Sequence, residues 1–150
     1  MASFNKFNIT AQDFALGALK LSTATVGLKV VLTNTIPTSS MTTSTDLTEI
    51  STGSGGYVAG GSAVTITSSV QSSGTFKLLA SALVFTATGG TIGPFEYAVL
   101  RASTATTSST ISGTTSPVIG WYDYGSAITL NATETFTLTW DASSGILQIA

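Results

Sequence analysis

Histidine and cysteine are both absent from this 150-residue chain, and ionised side chains are scarce: 8% of residues are Asp, Glu, Lys or Arg, against about 25% in an ordinary soluble domain. Each shortage closes a class of chemistry. Without imidazole or thiol, the common nucleophilic triads and the usual zinc ligand sets cannot be built. The serines lack an imidazole to activate them, and nothing in the spacing of Lys20, Lys29 or Lys77 supports a serine–lysine pair. Five basic residues with no cluster among them cannot neutralise a row of phosphates, so no nucleic acid partner is expected. No run approaches the ~18 apolar residues of a bilayer span, so no membrane partner is expected either. No acidic cluster has the spacing of a calcium loop. The missing cysteines give no sign of an oxidising compartment.

Serine, threonine and glycine fill the space that charges usually occupy, and the formal net charge is −2. Such a surface is wettable but repels its neighbours weakly, and proteins of this kind tend to associate. The composition therefore implies a surface shaped to be covered by other protein; the plainer alternative is a threonine-rich soluble domain. The first residues carry no continuous apolar segment of the secretory type. Assembly inside a cell is the expectation.

The length suits one domain with a real core. Residues 1–27 read as an N-terminal arm with a possible short helix. Phe4 and Phe7 sit there in polar surroundings, as in an arm that reaches across a subunit boundary. The stretch from Thr10 to Asp13 resembles a capping box with Asp replacing the usual Glu. It predicts a helix over 11–20, weakened by Gly17. Residues 28–150 read as a single β domain. A strand over 28–33 ends at Asn34 and Pro37, and one helical turn is expected within 46–50. From residue 61 the apolar residues recur with period two. Val64, Ile66, Ser68 and Val70 form one such series, followed by Leu83, Phe85 and Ala87. Phe95, Tyr97 and Val99 are expected on one face of the next strand. Two strands are expected over 118–124 and 128–130, then Phe136, Leu138 and Trp140 alternate with threonines. Residues 141–145 read as a turn before a last apolar segment. Residues 102–116 are closest to low complexity, either a loop or a pair of exposed strands. About eight strands with turns between them predict an all-β fold: an antiparallel β-sandwich or barrel, jelly-roll-like, with at most short helices. Phe85, Phe95, Tyr97, Trp121, Phe136 and Trp140 are expected to supply much of its core.

Seven carboxylates remain as candidates for chemistry: Asp13, Asp46, Glu49, Glu96, Asp123, Glu134 and Asp141. A glycosidase needs two of them facing across a cleft, and Glu96 and Asp123 lie in aromatic-rich strands. The favoured reading is structural, with Asp123 accepting hydrogen bonds from a turn and Glu96 pairing with Arg101 or a lysine. No catalytic, cofactor-binding or metal-binding residue is assigned. The glycine stretch 53–61 lacks the Gly-Lys-Ser/Thr ending of a phosphate loop. Gly55, Gly56, Tyr57, Gly60 and Gly61 are assigned to backbone geometry instead, with Gly93, Pro94, Asp123 and Gly125. Phe4, Phe7, Trp121, Tyr122 and Tyr124 are the candidate assembly interface. The last three could alternatively form a stacking platform for glycans, or pack in the core or at a trimer seam.

Several segments in order carry a resemblance. They are KVVLTN at 29–34 with Pro37, LTEI at 47–50, the Gly55–Tyr57 and Gly60–Gly61 pieces, GPFEYAV at 93–99 and IGWYDYG at 119–125. ITL at 128–130, ETF at 134–136 and the closing GIL complete the set. Over about residues 4–149 the chain resembles a family of small tailed-bacteriophage virion proteins, structural, tail-associated or capsid-decorating. Relatives often carry a basic residue where Glu96 stands. The resemblance implies a particle component without catalysis. The expectation is a capsid decoration (cement) protein, a homotrimer bound to the major capsid protein at the capsid surface of a virion assembled in the host cytoplasm. A tail or head-fibre module is the alternative.

Overall fold

The computed structural model describes residues 4–19, 21, 27–50, 55–103 and 116–149, and every structural statement here concerns those residues. Lys20, Gly53 and the Ser/Thr-rich stretch 104–115 lie outside them. The elements are β1 (Phe4–Lys6), α1 (Asn8–Ala15), β2 (Leu28–Thr33), β3 (Ser62–Ala63), β4 (Ile66–Ser72), β5 (Thr75–Ala80), β6 (Leu83–Thr86), β7 (Ile92–Ala102), β8 (Val118–Leu130), β9 (Thr135–Leu138) and β10 (Leu147–Ile149). They form an all-β, sandwich-like fold with three antiparallel sheets: β1-β8-β7-β2-β3, β10-β5-β4 and β6-β9. None of the sheets closes, so the barrel alternative is not realised. The single α-helix is too short to cross a membrane.

The pleat of β2 shows how the core is divided. Successive side chains on a strand point to opposite faces. Leu28, Val30 and Leu32 enter the main core, while Val31 enters a second cluster on the other face. The main core joins the large sheet to the smaller ones through Leu78, Phe85, Phe95, Leu100, Ile119 and Leu138, among others. Behind the large sheet, Phe7, Val31, Leu47, Val99 and Val118 form the second cluster, flanked by Ile9, Met41 and Trp121.

Several sequence expectations change here. Phe95 and Val99 do not share a face: Phe95 lies in the main core with Ala98 and Leu100, and Val99 lies behind the sheet. Pairing with β8 breaks step between Phe95 and Tyr97, whose partners are Ile128 and Asp123. An irregularity of this kind disrupts simple alternation. The two strands expected over 118–124 and 128–130 are one long strand, β8, which carries the extra residues of that break. β5, over TFKLLA, has no clean alternation to announce it.

The helix also differs. It starts at Asn8 with Phe7 as N-cap and ends at Ala15. Thr10 is therefore inside it, and its hydroxyl donates to the Ile119 carbonyl at 2.8 Å rather than capping. The turn near 46–50 is a 3-10 turn at Ser44–Asp46. The Asp46 carboxylate accepts the Thr42 and Thr43 N–H groups at 2.9 and 3.0 Å. These bonds hold its carboxyl below the ordinary range.

Of the residues expected to form a projecting arm, 4–19 pack with the β domain. β1 is the edge of the large sheet, with Phe4 opposite Tyr122 and Lys6 opposite Gly120. From there the Phe7 N–H bonds to the Ile119 carbonyl and the Asn8 N–H to the Ser39 carbonyl. Phe7 is 0% exposed. A benzyl side chain gains more from this burial than from standing in water, which ties the segment down.

Candidate functional site

The sheet pleat separates the aromatic residues grouped by sequence. Trp121 packs behind the large sheet, its ring 4.5 Å from that of Phe7. Tyr122 points to the opposite side and meets Phe4, with ring centroids 5.3 Å apart. A platform of Trp121, Tyr122 and Tyr124 on one face is therefore not formed; adjacent residues of one strand cannot share a face. Phe7, being fully buried, offers no surface to a partner in this conformation.

Tyr122 and Tyr124 instead join three aromatic side chains distant in sequence. With Phe4, Phe136 and Trp140 they line an open cleft of about 320 Å³. Its floor is built in layers. Phe95, 1% exposed, holds Phe136 edge-on at 5.1 Å, and Tyr124 stands edge-on to Phe136 at 6.1 Å. Edge-to-face pairs of this kind are favoured by the ring quadrupole and fix ring orientation. Gly120 makes room at one end, since a Cβ there would strike the Phe4 ring and the Asn5 carbonyl. Burial pushes the Tyr122 phenol up to about 12, with the Trp140 indole beside it acting the other way. That indole N–H is buried and meets no acceptor in full hydrogen-bond geometry.

The rim of the cleft is polar. Thr137, Thr139 and Asp141 line it and are exposed. Asp141 closes the turn before β10: its Oδ1 accepts the Ser143 and Ser144 N–H groups at 2.8 and 2.6 Å. These bonds hold its carboxyl below the ordinary range, with the Lys77 charge adding a smaller effect. Sequence reading missed the roles of Phe136, Trp140 and Asp141 here. Their alternation was visible, but their meeting with β1 and β8 depends on how the sheets stack.

The glycine-rich stretch forms a second, structural constellation. Gly55, Gly56, Gly60 and Gly61 have positive φ, as do Gly93 and Gly125. At Gly61 the requirement is doubled, because a Cβ would also meet the Val30 carbonyl. The Tyr57 hydroxyl donates to Glu49 Oε1 at 2.6 Å and accepts the Leu32 N–H at 3.0 Å. Burial first, and the bond to Glu49 second, push that phenol well above its ordinary range. Glu49 also accepts the Gly60 N–H at 2.8 Å, and Arg101 donates to the Gly60 carbonyl. Arg101 thus serves backbone carbonyls at Gly60 and Ala102, and this takes the place of the expected pairing with Glu96. Glu49 was counted among the candidate carboxylates; its function in tying this loop to β2 rests on contacts that spacing does not encode.

Asp123 is exposed, and its Oδ1 accepts the Gly125 N–H at 2.7 Å. Gly93 and Pro94, just inside the start of β7, are joined by a cis peptide and border a shallow recess with Asn34, Thr48 and Glu49. Among the described residues, no three or more carboxylates gather as a metal-binding group.

In comparisons with known proteins, no family model, no curated protein and no solved structure matches this chain.

Proposed function

We propose that this chain is a non-catalytic structural subunit of a tailed-bacteriophage particle, a capsid decoration protein that binds the major capsid protein lattice as a homotrimer. One observation carries the reading: ionised groups are 8% of the chain, while Ile36, Val58, Val70, Val84 and Ile149 stand 42–68% exposed on the folded domain. Such a surface gains by being covered and loses little, since few charges must be desolvated. A subunit that binds the assembled shell and not its free parts stabilises the shell by mass action. The carboxylates of Asp46, Asp123 and Asp141 brace turns, which supports a role without catalysis. The order of segments resembling virion proteins supplies the particle.

Copy number per purified particle, by quantitative mass spectrometry, tests this. Hundreds of copies are expected. A handful would move the chain to a tail or head fibre, the second reading, which the exposed aromatic cleft favours. A chain that is absent from particles and remains a lone, soluble monomer would sink both readings.

A further inference from the structure

We propose that the aromatic cleft between β1, β8, β9 and the turn before β10 is a binding site for an uncharged saccharide. A pyranose ring presents apolar C–H faces and a perimeter of hydroxyl groups, so it needs flat apolar walls beside fixed hydrogen-bond acceptors. The cleft has both: rings of Phe4, Tyr122, Tyr124 and Trp140 as walls, and Thr139 and Asp141 on the rim. Its volume of about 320 Å³ lies at the small end of ligand sites.

The walls are held in advance of binding. Tyr124 is 55% exposed, yet its ring is set edge-on against Phe136, which Phe95 fixes from below. An exposed ring supported in this way is a ready contact surface. Because the Trp140 N–H is buried, what that residue offers is ring surface. Asp141 supplies the acceptor. Backbone N–H groups of Ser143 and Ser144 keep it ionised and oriented. A carboxylate has lone pairs beyond those two bonds, and hydroxyl donors bind it strongly.

The same chemistry excludes the other occupants. Asp141 is the one ionised group among the described lining residues, and no Lys or Arg lines the cleft to receive a second negative charge, so an acidic glycan or a nucleic acid is disfavoured. An aliphatic chain would cover Asp141 and the threonine hydroxyls without giving them partners, which is costly. Saccharide binding is independent of the shell reading: a decoration protein that binds no sugar leaves that reading intact.

Titration followed by tryptophan fluorescence tests the site. In Trp121→Phe, Trp140 is the remaining indole. The probes are cello-, malto- and N-acetylchito-oligosaccharides, with oligogalacturonate as the acidic control. A saturable change with at least one neutral series, and none with the acidic one, is the expected result. Tyr124→Ala should weaken that binding about tenfold while lowering the thermal midpoint by only a few degrees, the loss of one aromatic pair. Should Trp121→Phe fail to fold, ring signals of Tyr124 in tyrosine-labelled wild-type protein give the same readout by NMR. No saturable response to any neutral series up to ~10 mM overturns the proposal. So does equal binding of the acidic series, or burial of Tyr124 that grows with protein concentration in the absence of sugar, which would assign the cleft to a second copy.

Discussion

The two faces of the five-stranded sheet are both buried, but by different means. The front meets the other two sheets mainly through aliphatic and aromatic side chains, with one polar contact at its margin, where the Tyr57 hydroxyl joins the Glu49 carboxylate to the Leu32 N–H. The back is covered by the turn of chain that carries Leu47 and by the start of α1, whose Phe14 packs against the main core instead. Phe7 and Leu47 supply the apolar contact there, Thr10 spends its hydroxyl on the Ile119 carbonyl, and Asp13 is 0% exposed with neither carboxylate oxygen hydrogen-bonded. Sheet-on-sheet packing needs little polar compensation, because strands satisfy most of their backbone within their own sheets. A short helix packed beside one strand, as α1 is beside β8, brings side chains of its own polar stripe with it. The front is therefore the source of cohesion, and the back is a cover whose strength depends on conditions.

Four substitutions sharpen this contrast. The largest effect belongs to the front. Phe95→Ala should cost about 3–5 kcal/mol, read as a lower urea midpoint with the whole fold lost in one transition. It should also loosen Phe136 and so the floor of the cleft. Phe7→Ala removes a side chain as deeply buried but on the back, and about 3 kcal/mol is the expectation. Hydrogen exchange separates the two: amides of β1 and α1 should lose protection first, while β4 and β5 keep theirs. Equal loss everywhere would show that the two faces unfold as one. Gly61→Ala strains a positive φ and meets the Val30 carbonyl; about 1–3 kcal/mol of destabilisation is expected, measured by thermal unfolding.

Asp13→Asn should act in the opposite direction, and least. Burial raises the Asp13 carboxyl above its ordinary 3.8. A raised carboxyl destabilises the fold only when ionised, so the penalty is absent below about pH 4, grows as pH rises through the elevated value, and is constant above it. The Asn variant should match wild type near pH 3 and exceed it at pH 7. A variant less stable than wild type at pH 7 would mean that the ionised carboxylate has a stabilising role, contrary to the contacts seen.

How much of this could be read in advance differs from element to element. β2 was plain, since KVVLT is apolar, β-branched and closed by Asn34 and Pro37. β9 was plain from Phe136 and Leu138 alternating with threonines. β1 escaped notice because three residues carry no period, and Phe4 and Phe7 looked like contacts for another molecule when they were contacts for this one. The separation of Trp121 from Tyr122 was available from the pleat alone. The break of step at Phe95 was not: it depends on extra residues in β8, thirty positions downstream.

Composition and local pattern by themselves determined that this chain would be β, poor in charge, punctuated by glycine and without imidazole or thiol chemistry. These are properties of each residue and its near neighbours. Which rings meet was decided only by the tertiary structure. Phe4, Tyr122, Phe136 and Trp140 come together because strand register and sheet stacking bring distant segments into contact, and both are set by the fit of many side chains at once.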